Sequence, residues 1–268
     1  MTTSSILTEP RTVTCNLIVE KSDAIMTVTF NRPEKLNALT PEMYASLGQV
    51  CAHVNTDPTT RLLMLRGAGG AFAAGSDIAH FRSFSTGQDG VAYEEQFVSI
   101  LDALETVPVP TLAVIDGVCA GAGLLLAAAC DVRIATTTSS FGLPIARTLG
   151  NTLSAYPLAL LTARIGSARL MSMVARARML QATELAEIGF VEEVADRDDF
   201  GDLEMQVIGD LLAAAPLTMS ATREVLRRIR NTGLPESADI VRHVYGSDDF
   251  RAGVSAFSRK ERAQWSGH

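Results

Sequence analysis

Apolar and polar residues alternate in two stretches near the start of the chain, residues 12–20 and residues 24–30. A period of two places one set of side chains on the buried face of a sheet and the other set towards solvent. The polar residues Lys21, Ser22 and Asp23 separate the two stretches. This pattern predicts a β-hairpin.

A change of period after the hairpin predicts the first long helix. Met43, Leu47 and Val54 share one face when the chain is wound at 3.6 residues per turn. The helix is expected to begin after the Thr-Pro-Glu sequence at residues 40–42, because threonine is a favoured N-cap and proline a favoured first-turn residue. It is expected to end near Asn55.

The next part of the chain alternates predicted strands with predicted helices. The predicted elements are strands at residues 61–67, 111–116 and 131–136 and near Phe141, helices at 90–106 and 121–130, and an irregular Gly/Ala-rich loop at 67–76. From about residue 152 the pattern is helical almost to the end. The order predicts an α/β fold followed by a helical region.

Three parts of the chain follow from this pattern, without an obvious linker or internal repeat. Residues 1–11 are polar and patternless and predict a flexible tail. Residues 12–200 carry the mixed strands and helices, and residues 201–268 carry helices alone. A soft boundary near residues 195–205 separates the last two parts.

Composition and charge exclude several classes of protein. Apolar residues make up 47% of the chain and charged residues 20%, which is typical of a soluble globular protein. The net charge of −7 provides no general basic field for nucleic acid or an anionic membrane. We find no signal peptide and no 18-residue apolar span, so membrane insertion is not expected. The four cysteines show no CxxC spacing and the histidines no metal-ligand spacing, which favours reduced thiols, no metal site and a cytoplasmic location.

Two loops rich in glycine and alanine carry the candidate chemistry. The first leaves a predicted strand as "RGAGGAFAAGSDI", residues 66–78, and the second opens a buried helix within "IDGVCAGAGLLLAAACD", residues 115–131. Small residues let a ligand approach the backbone closely, and the first turn of a helix has unpaired N–H groups. Two such loops can direct two N–H donors at one oxygen, which is the arrangement that stabilises the charge on a thioester carbonyl oxygen.

Two other interpretations of these loops remain open on the residues alone. The glycines can serve only tight turns and close packing. The Gly121 and Gly123 pair also resembles part of a dinucleotide-binding motif, although position 126 is Leu126 instead of glycine and no first βαβ unit precedes it.

Taken together, the motifs resemble the crotonase superfamily, in its enoyl-CoA hydratase/isomerase family. The matching stretches are "VTFNRPEKLNALT", "RGAGGAFAAGSDI", "VIDGVCAGAG", "LLAAACDVRIAT", "FGLPIARTLGN", "LQATELAEIGFVEEV", "AAAPLTMSATREVL" and "DDFRAGVSAFSRKERAQWSG", in family order across residues 12–266. The resemblance implies a ββα spiral core at residues 12–200 and a helical trimerisation region at residues 201–268. It also implies trimers or dimers of trimers, and an acyl-CoA substrate of which coenzyme A is part, without a separate cofactor.

The resemblance also implies roles for individual residues. The backbone N–H groups of Ala74 and Ala122 would form the oxyanion hole for the thioester. The residues expected to hold the coenzyme A portion are Arg32, Lys35, Leu36, Ala73, Gly75, Asp77, Gly121 and Lys260. For Asp77 a cap of the following helix is the favoured alternative. Lys260 lies near the C-terminal position where some members contribute a phosphate contact from a neighbouring subunit, and a solvated helix face is an equal alternative for it.

The sequence departs from the family at the two glutamates that hydratases use to activate water. The resemblance places these glutamates at Leu125 and Ile145, which cannot accept a proton. Arg147 and Tyr156 follow closely and are candidate replacements, with helix packing as the alternative. Glu94 and Glu95 lie on a helix that covers the pocket in this family, and a solvated surface position is expected for both.

Three functions are therefore compatible with the sequence. The first is an acyl-CoA enzyme that stabilises a thioester enolate without the usual pair of glutamates. The second is a non-catalytic acyl-CoA-binding homologue, and the third is a decarboxylase or thioesterase variant. The acyl group cannot be read from the sequence.

Overall fold

The structure is a computed structural model that describes residues 11–14 and 16–268. Its strands are β1 Arg11–Thr14, β2 Leu17–Ser22, β3 Ile25–Phe30, β4 Leu62–Gly67, β5 Ala71–Ala73, β6 Thr111–Ile115, β7 Val118–Ala120, β8 Val132–Thr136, β9 Ser140–Gly142, β10 Leu180–Gln181 and β11 Glu193–Ala195. Its helices are α1 Pro41–Val54, α2 Gly87–Glu105, α3 Ala122–Ala129, α4 Ile145–Thr148, α5 Ala155–Ile165, α6 Ser167–Arg176, α7 Ala182–Ala186, α8 Phe200–Ala213, α9 Pro216–Asn231, α10 Ala238–Tyr245 and α11 Asp248–Arg259. Short 3-10 helices cover Pro33–Lys35 and His80–Ser83.

The strands form two sheets that repeat one pattern along the chain. The larger sheet has the order β1-β2-β3-β4-β6-β8-β11 and is parallel from β3 onwards. The smaller sheet has the order β10-β9-β7-β5, and β5, β7 and β9 are parallel. Each of β4, β6 and β8 in the larger sheet is followed directly by β5, β7 or β9 in the smaller one. This repetition is the predicted ββα spiral, so the predicted fold class is confirmed.

Tight turns between the paired strands keep the two sheets in contact. Gly117 joins β6 to β7 with a φ of +83°, a conformation that other residues rarely adopt. A Cβ atom at this position would lie 2.0 Å from the carbonyl oxygen of Gly70. The turn after β6 therefore packs directly on the backbone before β5, so β5 and β7 begin side by side.

Most predicted elements are confirmed, and three predictions are wrong in detail. The predicted strand at residues 12–20 is divided into β1 and β2, because Asn16 turns the chain with a φ of +67°. The loop at residues 67–76 contains β5, which pairs with β7. The C-terminal helical run is interrupted by β10 and β11, which add edge strands to the two sheets. The predicted tail, residues 1–11, lies outside the described residues except for Arg11 in β1.

The main apolar core fills the space between the two sheets and α1, α2, α3 and α5. A second core packs α8 against the outer face of the larger sheet. A third joins the 3-10 helix at residues 80–83 to α2, α10 and α11. The C-terminal helices α10 and α11 therefore pack beside α2. The domain boundary between residues 200 and 201 stays a prediction.

Among the described residues, no single helix is long and apolar enough to cross a bilayer. The pair α5 and α6 has the length and apolar character together, but the two helices are bent by 113° relative to each other. Cys51, Cys119 and Cys130 are buried free thiols, and Cys15 lies outside the described residues.

The close contact between α2 and α10 gives a stability prediction. A Cβ atom on Gly90 would lie 2.1 Å from Cγ of Tyr245, so Gly90→Ala forces α10 away from α2. We expect this overpacking to lower the free energy of unfolding by about 1–3 kcal/mol, measured by urea denaturation.

Gly209→Ala in α8 is the control, because nothing lies within 4 Å of its added methyl group. It should raise the free energy of unfolding by about 0.5–1 kcal/mol. Equal effects of the two substitutions would contradict the contact.

Candidate functional site

A cavity of about 160 Å³ lies where the loop after β5 meets the first turn of α3. Ala74, Gly75, Ser76, Gly121 and Ala122 form one end of its wall. The remaining wall is mostly apolar, with Phe97 from α2, Leu125 from α3, Leu143, Ile145 from α4 and Phe257 from α11 among its residues. The polar side chains that reach it include Glu94 and Asn151.

The two loops touch through their backbones. A Cβ atom on Gly121 would lie 3.3 Å from Cα of Gly75, and a Cβ atom on Gly75 would lie 3.8 Å from the nitrogen of Ala122. The φ angles are +118° at Gly75 and +54° at Gly121, both in the region that favours glycine. Glycine at these two positions therefore allows the amide groups of the two loops to approach each other.

The first loop is fixed along one edge by the segment at residues 36–39. The amide of Ala74 donates to the carbonyl of Leu36 at 2.9 Å, and the amide of Asp77 donates to the carbonyl of Leu39 at 2.7 Å. The amide of Leu39 donates to the carbonyl of Gly75 at 2.8 Å. The predicted donor Ala74 is therefore already engaged and does not offer a free N–H to the cavity.

Ser76 provides the free amide of this loop. In the parallel bridge between Leu39 and Ser76, the flanking residues 75 and 77 make the hydrogen bonds, so the N–H of Ser76 points away from Leu39. Within the described residues this amide has no acceptor. The side chain of Ser76 is held by the hydroxyl groups of Tyr44 at 2.8 Å and Tyr93 at 2.6 Å, which fixes the orientation of the peptide.

The second free amide belongs to Ala122, the first residue of α3. The N–H groups of the first helical turn have no partner in their own helix, and they carry a partial positive charge. Gly121 before it is anchored, because its amide donates to the carbonyl of Gly142 at 2.9 Å. The whole of α3 is buried, so the charge at its start is poorly screened by water.

Leu125 and Ile145, where the family resemblance would place glutamates, both line the cavity. Leu125 is 1% exposed and belongs to the main core. Neither side chain can donate or accept a proton. This part of the wall is therefore apolar.

Glu94 occupies a position that the sequence did not predict. It was expected on a solvated surface, but it is 2% exposed, because α5, α10 and the segment before α5 cover this face of α2. Its carboxyl group accepts hydrogen bonds from the amide of Ser154 at 2.8 Å and from the hydroxyl of Tyr245 at 3.2 Å. Burial raises the pKa of Glu94, while these two hydrogen bonds lower it. Glu95, its neighbour, is exposed as expected.

Tyr156 and Arg147 do not line the cavity. The hydroxyl of Tyr156 donates to Glu105 at 2.7 Å, and its ring lies under the guanidinium of Arg230 at 5.0 Å. Arg147 is exposed on α4. Tyr156 is therefore bound into an ion-pair cluster at the C-terminal end of α2, so packing explains this residue.

Gly75 and Gly121 line the cavity, and the other residues predicted to bind coenzyme A lie outside it. Arg32 and Asp77 form an ion pair at 2.9 Å beside the first loop. Asp77 also accepts the amide of Ala79 at 3.0 Å, which forms an Asx turn before the 3-10 helix at residues 80–83; this helix has Ala79 as its N-cap and no side-chain cap. Near Arg32, Lys35 and Leu36 are exposed on the turn at residues 33–36, and Lys260 is exposed directly after α11.

Ala73 lies behind the first loop instead of beside the cavity. It is fully buried in β5, and a Cβ atom on Gly123 of α3 would lie 2.3 Å from its carbonyl oxygen. Its role is to pack β5 against α3. Within the described residues no group of three or more His, Cys, Asp or Glu side chains is arranged to hold a metal ion.

Comparison with known proteins decides which family has this arrangement. Residues 20–268 match the family model described as enoyl-CoA hydratase/isomerase. The chain belongs to this family, within the crotonase superfamily.

Individual relatives agree with this assignment. The chain is 31% identical over 256 residues to 1,2-epoxyphenylacetyl-CoA isomerase of Escherichia coli (strain K12), covering 93% of this chain and 97% of the relative. It is 35% identical over 211 residues to (E)-benzylidenesuccinyl-CoA hydratase of Thauera aromatica, covering 77% and 80%. A crystal structure of an enoyl-CoA hydratase/carnithine racemase from Magnetospirillum magneticum superposes with a TM-score of 0.77 at 27% identity, covering 97% and 98%.

The buried carboxyl group in this family member gives a prediction about pH. Because burial raises the pKa of Glu94 above its ordinary value of 4.5, the folded protein binds this proton more tightly than the unfolded chain does. Its contribution to stability is fully present below that ordinary value and is lost as the pH rises through the higher pKa of the folded state. The Glu94→Gln variant cannot titrate at this position.

The measurement is the free energy of unfolding of the unaltered protein minus that of Glu94→Gln, by urea denaturation at several values between pH 5 and pH 8. We expect this difference to fall as the pH rises. The matched control is Glu95→Gln on the exposed face of the same helix, for which the difference should stay constant. A constant difference for Glu94→Gln would show that the carboxyl group is not protonated more readily in the folded state.

Proposed function

We propose that this chain is an acyl-CoA enzyme that binds a short acyl thioester with its carbonyl oxygen between the amides of Ser76 and Ala122. Removal of a proton beside a thioester carbonyl moves negative charge onto that oxygen, and two fixed N–H donors in a buried site stabilise the charge. The observation that carries the proposal is the contact between the Gly75 and Gly121 loops, which leaves these two amides free at one end of the same cavity.

The size and polarity of the cavity favour a small acyl group. Sites that enclose a drug-sized ligand usually measure about 300–1,000 Å³, whereas this one measures about 160 Å³. Its wall beyond the two loops is mainly aliphatic and aromatic. The acyl chain would occupy the cavity, while the larger coenzyme A portion would lie outside it, along the turn at residues 32–36, Asp77 and Lys260.

Hydration by a pair of glutamates is not the reaction we propose, because Leu125 and Ile145 supply no carboxyl groups. Enolate formation requires one base and the two amides, and the names of the two relatives cover both an isomerase and a hydratase of acyl-CoA compounds. We therefore propose an enolate-forming reaction on an acyl-CoA. Tyr156 and Arg147 are not part of this proposal, since neither reaches the cavity.

We also propose that the chain assembles into trimers or dimers of trimers, as the family resemblance implies. Leu217, Val225, Leu226 and Ile229 on α9 are between 55% and 82% exposed, and contiguous exposed apolar surface is typical of subunit contacts. The double substitution of Leu226 and Ile229 by Glu should lower the mass measured by sedimentation velocity, because charge would be buried at the contact. An unchanged mass, or a monomeric unaltered protein, would contradict this assembly surface.

The proposed oxyanion site is tested by removing one amide without disturbing the helix. Ala122→Pro removes the N–H, and proline is well tolerated at the first position of a helix. We expect kcat to fall by about 10²–10³-fold on the best substrate of a panel of short acyl-CoA and enoyl-CoA esters, as when one oxyanion donor is lost.

Ala122→Gly is the matched control, because it also changes the side chain but keeps the amide. Its kcat should stay close to that of the unaltered protein, and circular dichroism should show that both variants are folded. Equal activity of the proline and glycine variants would exclude the Ala122 amide as a donor. A chain that neither binds nor converts any ester of the panel would overturn the proposed function as a whole.

A further inference from the structure

Glu94 is the acidic residue in the wall of the cavity. It lies on α2, while Ser76 and Ala122 lie in the two loops that form one end of the same cavity. Among the described residues that line this cavity, no other side chain carries a carboxyl group. Positions 125 and 145 carry no carboxyl group, but α2 supplies one to the same cavity.

Within the part of the chain that the structure describes, no Arg, Lys or His forms an ion pair with Glu94. Its carboxyl group is held by the amide of Ser154 and the hydroxyl of Tyr245, with the hydroxyl of Ser154 nearby. A buried carboxyl group without a cation is costly to ionise, so such groups are uncommon unless they have a function. Its titratable neighbours are Tyr44, Tyr93 and Tyr245, and burial raises the pKa of each of these phenols. They stay neutral at neutral pH.

One neighbouring polar atom in the cavity wall lacks a partner among the described residues. Oδ1 of Asn151 is buried without a hydrogen bond, whereas the hydroxyl of Ser154 lies beside Glu94 and lowers its pKa. The amide nitrogen of Asn151 donates to the hydroxyl of Tyr245 at 3.2 Å, and the backbone of Ser154 donates to Glu94, so both residues adjoin the carboxyl group. Leaving buried polar atoms unpaired is unfavourable, and most buried polar groups in proteins have a partner. The unpaired Oδ1 of Asn151, in a residue that lines the cavity, indicates a place for a polar group of a ligand.

We propose that Glu94 is the catalytic base and acid of this chain, and that the reaction is a shift of a carbon–carbon double bond in a short 3-enoyl-CoA. The inference rests on the proposed function, because it needs the amides of Ser76 and Ala122 to hold the thioester oxygen. One carboxyl group facing the cavity suits a reaction that moves one proton between two carbons. Hydration would require further groups to hold and activate water.

The proposed steps conserve all atoms and electrons. The ionised carboxylate of Glu94 removes a proton from C2, so a C–H bond breaks and an O–H bond forms. The electron pair of that bond forms a C1–C2 double bond, and the carbonyl π pair moves onto the thioester oxygen at the two amides, which gives a dienolate that keeps its C3–C4 double bond. The carboxyl group then returns its proton to C4, where the C3–C4 π pair forms the new C–H bond. The C2–C3 double bond and the carbonyl group form in the same step, which gives the 2-enoyl-CoA.

Tyr245 and the amide of Ser154 are positioning groups in this scheme. They hold the two oxygens of Glu94 at 3.2 Å and 2.8 Å. Because both donate to the carboxyl group, they favour its ionised form and partly offset the effect of burial.

The experiment follows the conversion of 3-butenoyl-CoA and 3-pentenoyl-CoA to their conjugated 2-enoyl products by the full chain. For Glu94→Gln we expect a loss of about 10²–10⁴-fold in kcat, the usual contribution of a general base. The dissociation constant of butyryl-CoA should be unchanged, because the base does not hold the thioester. Glu95→Gln on the same helix is the control and should keep full activity.

A substrate deuterated at C2 gives a second readout that a structural role would not produce. If one carboxyl group carries the proton, part of the deuterium appears at C4 of the product, as measured by NMR. Glu94→Asp keeps a carboxyl group and should retain part of the activity and the transfer, so the test holds even if the glutamine variant folds poorly.

The outcomes separate this inference from the proposed function. Full turnover by Glu94→Gln, together with loss of turnover in Ala122→Pro, would overturn the role of Glu94 and leave the oxyanion site standing. An unaltered protein that binds the esters and converts other acyl-CoA esters, but does not isomerise the 3-enoyl esters, would overturn the proposed double-bond shift. An unaltered protein that binds no ester would overturn both proposals.

Discussion

The contact between the backbones of Gly75 and Gly121 is the constraint on which the site depends. A side chain at either position would have to fit a left-handed backbone and would press on the opposite loop. The contact is possible because β5 and β7 are parallel neighbours in the smaller sheet, so the ends of both strands lie at the same edge. The ββα spiral thus brings two loops from different turns of the chain to one place. Among the described residues, the amides of Ser76 and Ala122 have no acceptor there.

The electrostatics of the cavity follow from what surrounds these amides. Leu125, Leu143 and Ile145 make the wall apolar, so a developing negative charge would be stabilised mainly by fixed N–H groups instead of water. The same apolar surroundings raise the pKa of Glu94, because burial disfavours its charged form. A chain with aliphatic residues at the two expected glutamate positions therefore still has a carboxyl group beside the amides of Ser76 and Ala122, and this carboxyl group comes from α2.

Local sequence patterns predicted much of this arrangement, and non-local contacts determined the rest. The periodicity that predicted α1 and α2, and the apolar composition that predicted α3 and the buried strands, are properties of short segments, and these predictions are confirmed. The free amide of the first loop could not be read in this way, because the engagement of Ala74 depends on the carbonyl of Leu36, which lies far away in the sequence. Glu94 was equally hidden, since adjacent glutamates on an amphipathic helix usually face water and only the packing of α5 and α10 buries one of them. Tyr156 was predicted as a replacement for a glutamate because it lies close after position 145 in the sequence. Its side chain instead contacts Glu105 and Arg230.

The most direct test of the account is the carbonyl stretching frequency of a bound thioester, measured by isotope-edited infrared spectroscopy. Butyryl-CoA labelled with ¹³C at the carbonyl group is suitable, because it has no double bond to isomerise and reports only on the hydrogen bonds to its oxygen. Two N–H donors at this oxygen should polarise the carbonyl bond and shift its stretch to a lower frequency than in water. A bound ester whose carbonyl stretch stays at its frequency in water, or moves to a higher one, would contradict the convergence of the Ser76 and Ala122 amides on the thioester oxygen.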